Sequence, residues 1–212
     1  MSDLRVYVAG ASSEMERAER YIAKLREAGI TVTSTWPEVI RSQPNSEANP
    51  MSVPRAVRAR WARTDLDEVT ESNFLWLLVP KVPSAGAHVE FGYAAMLMQS
   101  FDMAEALGID EAPPAFELLC SGKETSIFTA LSPNHFDTDD EAFGFLLALH
   151  QFLEANLRLD DAVDHVLPEH PYPEGDDDFD DGEGEDETEN EPDNVATVLE
   201  RQVSAIFKKP SP

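Results

Sequence analysis

Apolar positions in the first 36 residues take the spacing of a strand, then of a helix, then of a strand again. Leu4-Arg5-Val6-Tyr7-Val8-Ala9 is a short β-rich run that stops at Gly10. Met15, Ala18, Ile22 and Leu25 then recur at helical spacing, and Gly29 stands where a C-terminal stop belongs. Ser13-Glu14-Met15-Glu16 fits the capping-box pattern, which supplies acceptors to the free amides of a first helical turn. Ile30 to Trp36 reads as the second strand. A β-helix-β unit of this length implies parallel pairing with a right-handed crossover.

Residues 37 to 54 hold Pro37, Pro44, Pro50 and Pro54 among Asn, Ser and Gln, the pattern of a long loop of the kind that serves as a lid or binding segment. The spacing predicts a helix from about Arg55 to Glu71, with Ala56, Ala59, Trp61, Leu66 and Val69 on its buried side. Phe74 to Val79 is apolar throughout, as in a central strand buried on both faces. A turn from Pro80 to Ala87 leads to a helix from about His88 to Ala106. Phe116 to Cys120 is a fourth strand, Asn134-His135-Phe136 a short fifth, and Asp139 to Leu157 the last large helix, with Phe143, Leu146, Leu147, His150 and Leu153 as its stripe. The alternation predicts an α/β fold, a Rossmann-like or flavodoxin-like three-layer sandwich with a mostly parallel five-stranded sheet. This domain occupies residues 1–167.

Charge changes the picture beyond that point. The chain of 212 residues has 16 Lys plus Arg against 41 Asp plus Glu, a formal net charge of −25. Between Glu174 and Asp193 lie 13 acidic residues and no basic one, so residues 168–194 read as an acidic disordered linker. Residues 195–212 regain helical periodicity over Val195 to Phe207 and read as a short amphipathic helix and chain end. The remaining chain still carries −12 of the −25, which argues against direct nucleic-acid binding, since that depends on neutralising phosphates. A nucleotide handled by this chain is a small molecule in a pocket. The single cysteine, Cys120, excludes an internal disulfide and a multi-thiolate zinc site, and at a strand end it reads as a small apolar residue. No histidine pair has ligand spacing with carboxylates, so no metal is expected. No apolar run reaches the roughly 20 residues of a membrane span, and the N-terminus lacks a signal-peptide design. The expectation is a cytoplasmic protein with no membrane contact.

In an open parallel sheet, ligands bind beyond the carboxyl ends of the strands. Three segments converge there: Gly10-Ala11-Ser12-Ser13, Trp36 with the loop behind it, and Pro83-Ser84-Ala85-Gly86-Ala87-His88-Val89-Glu90. They offer hydroxyls, helix-start amides that suit a phosphate or carboxylate ligand, and glycines at Gly10 and Gly86 that allow close backbone approach. Glu90 sits among apolar neighbours. It reads either as a carboxylate placed by the helix dipole, worth about 0.3–1 kcal/mol, or as a functional group. Asp65 and Asp67 read either as a solvated face or as chemistry. His88 reads as a surface or structural histidine that could also touch a ligand.

These residues carry a resemblance. Val6-Tyr7-Val8-Ala9-Gly10 followed by a helix, Thr33-Ser34-Thr35-Trp36, Thr64-Asp65-Leu66-Asp67 before Ser72-Asn73-Phe74-Leu75, and Gly86-Ala87-His88-Val89-Glu90-Phe91-Gly92-Tyr93-Ala94 are similar to the nucleoside 2-deoxyribosyltransferase family, which includes 2′-deoxynucleoside 5′-monophosphate N-glycosidases. The likeness extends to Ser126-Ile127-Phe128 and Phe136-Asp137 and covers about residues 4 to 155. It implies that Glu90 is the nucleophile that attacks the anomeric carbon and forms a covalent glycosyl-enzyme, later released by water or another base. It implies that Asp65 orients nucleophile and sugar or assists proton transfer to the departing base, with Asp67 as the second choice. It matches the Gly10–Ser13 turn and Ser84 to positions that hold a 5′ phosphate. No cofactor is implied, and a homo-oligomer (a dimer or larger) that completes the pocket is. Ala11 stands where some members carry a base-contacting side chain, the stretch Gln99 to Ala115 is longer than usual, and the acidic tail has no counterpart.

The expected function is therefore hydrolysis or base exchange at the N-glycosidic bond of a deoxynucleoside or its 5′-monophosphate. Two readings from other classes stand beside it: a non-catalytic nucleotide-binding or sensing module on the same fold, and an interaction protein whose acidic tail binds a protein partner.

Overall fold

In the computed structural model the described residues are 4–42, 52–109 and 115–166. All lie within one compact unit, Met1–Pro168. The readings placed on residues 43–51 and on the acidic stretch and terminal helix lie outside the described residues.

Strand β1 (Arg5–Ala9) is followed by a 3-10 turn at Ser12–Glu14 and helix α1 (Met15–Glu27). Then come β2 (Thr31–Val32), α2 (Trp36–Arg41), α3 (Arg55–Glu71), β3 (Phe74–Leu78) and α4 (Ala85–Ala106). Strand β4 (Glu117–Ser121), a 3-10 turn at Ile127–Leu131, β5 (Asn134–Phe136) and α5 (Asp139–Val166) complete the order. The five strands form one sheet in the order β2-β1-β3-β4-β5, and every pair is parallel. That is the flavodoxin-like order, with its topological switch point between β1 and β3. Right-handed crossovers place α1 and α5 on one face and α3 and α4 on the other. The α/β sandwich expected from the sequence is the fold observed.

Every residue of β3 is buried, because helices cover both faces of this central strand. Gly29 ends α1 as expected. Its φ is +83°, and the Ile30 amide donates to Leu25 O at 3.0 Å while the Gly29 amide donates to Arg26 O at 3.1 Å. This is a Schellman cap, closed by contact between the buried Leu25 and Ile30. On the same face Arg17 donates to both carboxylate oxygens of Asp139, at 2.7 and 2.6 Å, and to Val79 O at 3.0 Å. Asp139 also accepts from Ser121 Oγ at 2.7 Å, and Ser121 Oγ accepts from Trp76 Nε1 at 2.8 Å. This chain of bonds ties α1, α5, β3 and β4 together at their carboxyl edge.

Five local expectations are corrected. Ser13 does not cap α1: the helix begins at Met15, Ser13 is exposed, and the residue before the helix, Glu14, accepts from Arg17 Nη1 at 2.9 Å and from the Lys81 amide at 2.7 Å instead. The second strand stops at Val32, and residues 36 to 41, read as strand end and loop, form α2. Pro37 explains the switch, since it suits a first helical turn and cannot donate to a sheet. In α3 only Val69 of the five proposed inward residues is fully buried, and Ala56 and Ala59 are exposed. Helix α4 starts at Ala85 rather than His88, and α5 runs on past Leu157 to Val166.

Candidate active site at the carboxyl edge of the sheet

Three elements aim acidic or phenolic groups at one place on the α3–α4 face. Strand alternation turns Tyr7 of β1 away from Val6 and Val8. Asp65 and Glu68 stand three apart on α3 and share a face of that helix. Glu90 projects from the second turn of α4. Helices α3 and α4 are further tied by a 3.0 Å contact between Thr70 Oγ1 and Tyr93 Oη.

The electrostatics follow from burial and crowding. Burial, then the Asp65 charge, push the Glu90 carboxyl up to about 8, and Glu68 adds to the rise. Burial and Glu68 push Asp65 to about 7. Tyr7 is raised by burial and by the charges of Glu90, Asp65 and Glu68. The Tyr7 hydroxyl stands near enough to Glu90 to favour its ionised form. Even so, neither Tyr7 Oη nor Glu90 Oε2 completes a hydrogen bond of standard geometry, and both atoms are buried. Thr33 Oγ1, just beyond β2, is a third buried and unbonded polar atom. Glu68 is anchored differently: its carboxylate accepts the Thr35 amide at 3.0 Å and the Thr35 hydroxyl, which holds α3 to the start of α2. Burial nevertheless raises the Glu68 carboxyl, with the two Thr35 bonds opposing the rise. Glu90 and Asp65 form a coupled pair that near neutral pH shares one proton, held mainly by Glu90, whose carboxyl is raised further than that of Asp65.

Of the residues singled out in the sequence, Glu90 and Asp65 are brought within mutual electrostatic reach. Asp67 is exposed on the other side of α3. Trp36 is buried, donates from its indole to Val8 O at 2.9 Å, and lies against Gly10. Gly10 and Gly86 have room for a Cβ, so among the described residues neither turn demands glycine on steric grounds. Ser84 sits at the start of α4, its Oγ 3.5 Å from the Ala87 amide, and His88 donates from Nδ1 to Ser84 O at 2.7 Å, a bond within its own turn. That bond favours the structural reading of His88. Ser12 is half-buried and Ser13 exposed, and both line an open groove of about 750 Å³ with Arg17, Arg20, Arg41 and Lys81. Cys120 is buried and its thiol is pushed up to about 12 by burial, so it is no nucleophile. Among the described residues no group of three His, Cys, Asp or Glu side chains is placed to hold a metal ion.

The sequence alone did not single out Tyr7 or Glu68 as site residues. Strand alternation carried a signal for Tyr7, and the i, i+3 spacing from Asp65 carried one for Glu68.

No protein family matches the sequence, and no curated protein is significantly similar to it. Among solved structures the chain is similar to the Clostridium botulinum CMP N-glycosidase BcmB, with 19% identity and a TM-score of 0.39 over 70% of this chain and 98% of that one.

Proposed function

We propose that this chain breaks the N-glycosidic bond of a deoxynucleoside or a deoxynucleoside 5′-monophosphate and passes the sugar to water or to another base. The observation that carries this reading is Glu90: one carboxylate oxygen buried without a partner, beside a second carboxyl group, at the switch point of a parallel sheet. The resemblance of Gly86–Ala94 and Thr64–Asp67 to the nucleoside 2-deoxyribosyltransferase family supports the same assignment.

When substrate binds, the shared proton passes from Glu90 to Asp65, and the ionised Glu90 attacks the anomeric carbon. As the ester bond forms, the C–N bond breaks and its electron pair leaves with the base, which takes a proton from the neutral Asp65 carboxyl group. The positive charge that develops on the sugar is stabilised by the carboxylate cluster. Water then gives a proton to Asp65, attacks the anomeric carbon and frees Glu90. A second base in place of water gives exchange. This is the retaining logic of two-step carboxylate catalysis. Ser12 and Ser13, in a groove that Arg17, Arg20, Arg41 and Lys81 share with Glu14 and Glu16, support a phosphorylated substrate.

Incubation with a panel of nucleosides and 5′-nucleotides, followed by chromatography, is expected to show released or exchanged base. Glu90→Ala is expected to lower turnover by about 10³-fold or more with the fold intact. Mass spectrometry of quenched reactions is expected to find the sugar on wild-type protein alone. Normal turnover by a folded Glu90→Ala protein would end this mechanism.

A further inference from the structure

Helix α3 descends from the carboxyl edge of the sheet to its amino edge. Its last residue, Glu71, is followed by Ser72 and Asn73, and the Asn73 amide donates at 3.0 Å to the carbonyl of Arg5, the first residue of β1. Trp61 therefore stands one turn, about 6 Å, nearer the carboxyl edge than Asp65. Helical steps of about 100° set it in azimuth between Asp65 and Glu68, the two carboxyl groups of α3 that act on Glu90. The spacing of apolar residues puts Trp61 on the core side of α3, yet it is only half-buried and takes no part in the core. Its indole makes no hydrogen bond or ring contact with a described residue. The other two tryptophans are buried and committed: Trp36 Nε1 donates to Val8 O, and Trp76 Nε1 to Ser121 Oγ.

We propose, resting on the N-glycosidic reading, that the indole of Trp61 is the platform on which the base of the substrate stacks. It takes the part of the base-contacting side chain that some family members carry where this chain has Ala11. Asp65 gives its proton to the departing base, so the base lies against α3 at that residue. Toward the amino edge this face of α3 is closed by the buried Val69 and by Glu68, which is tied to Thr35. Toward the carboxyl edge the next side chain between those azimuths is Trp61. Ala11 cannot supply the contact, since it is buried and ends at Cβ. An indole suits the task because it and a nucleobase are both flat π-systems, and such stacking tolerates a change of base. The stack grips the base in the ground state and in the transition state alike, so its loss falls on KM and not on kcat.

Steady-state kinetics are measured on each nucleoside and 5′-nucleotide of the panel from which the wild-type chain releases base. Inhibition by 2-deoxyribose and by its 5-phosphate, which lack the base, is measured beside them. Trp61→Ala is expected to raise KM by about 5- to 100-fold. It is expected to leave kcat, and inhibition by the two sugars, within about 3-fold of wild type. Trp61→Leu fills much of the same space without a π-face and is expected to follow Trp61→Ala, whereas Trp61→Phe stays near wild type. An unchanged KM in Trp61→Leu, or an equal weakening of substrate and of the sugars, would overturn the stacking role and leave the N-glycosidic reading in place. Release of base from no member of the panel by wild type would end that reading, and the stacking role with it, before any variant is made.

Discussion

Glu90 owes its high pKa first to burial, then to Asp65 and Glu68, against the opposing influence of Tyr7. A carboxyl group raised from 4.5 to about 8 on folding stabilises the folded chain fully below its ordinary value, and that contribution is lost as pH rises through about 8. Glu90→Gln keeps the shape and removes the charge. Its unfolding free energy in urea is expected to match wild type near pH 4.5 and to exceed it near pH 8.5 by on the order of 1–3 kcal/mol. Equal free energies at both values would show that Glu90 is not desolvated as described. Asp65 faces the same place from α3, whereas Asp67 is exposed, since two helical steps turn a side chain by about 200°. Asp65→Asn is thus expected to slow base release by about 10²-fold or more, with Asp67→Asn near wild type. The reverse ranking in initial rates would remove Asp65 from the mechanism. Glu90 and Asp65 were legible because their sequence neighbourhoods carry the pattern. Tyr7 lies within a quoted stretch, but its approach to Glu90, like that of Glu68, arises only when β1, α3 and α4 meet.

At the scale of elements, what the sequence disclosed and what it hid divide along burial. Strand β3 and helix α1 were legible because one apolar pattern settles each, and the Gly29 stop needs the left-handed backbone that glycine supplies cheaply. The boundary between β2 and α2 was hidden because Ile30 to Trp36 has strand composition, and Pro37 together with the Trp36 bond to Val8 decides for a helix. The inward face of α3 was misread for a related reason: a helix that lines a polar site turns Asp65 and Glu68 inward along with Val69, so apolar periodicity is a poor guide there. The clamp between α1 and α5 gives this scale its own test. Burial alone would raise Asp139, yet bonds from Arg17 and Ser121 outweigh it and hold its carboxyl below the usual value. The stability this supplies is present above the ordinary carboxylate pKa and lost as pH falls through the depressed one. Asp139→Asn leaves the guanidinium of Arg17, itself largely buried, with Glu14 as its remaining carboxylate partner. The cost is expected to be about 2–4 kcal/mol in urea unfolding at pH 7, with kcat for an uncharged deoxynucleoside nearly unchanged because the clamp lies on the face away from Glu90. A loss of kcat at unchanged stability would place the clamp in the mechanism.

For the whole molecule the governing quantity is charge. Residues 174 to 193 contribute 13 of the 41 acidic side chains, and no described residue of the candidate site lies beyond residue 90. Removing residues 170–212 is therefore expected to leave kcat for base release from an uncharged deoxynucleoside essentially unchanged. A 5′-monophosphate should respond differently. Its phosphate is repelled by the chain's negative field, so truncation is expected to lower KM at low ionic strength. The effect should fade near 0.15 M salt, where screening acts beyond about 8 Å. The signature of a purely electrostatic tail is thus a gain confined to the charged substrate and the dilute buffer, with the nucleoside as internal control. Steady-state kinetics on full-length and truncated protein, with both substrates at two salt concentrations, reads all four conditions. A collapse of kcat for both substrates at both salts would mean that part of the catalytic body lies beyond residue 168, and the domain boundary drawn from composition would move.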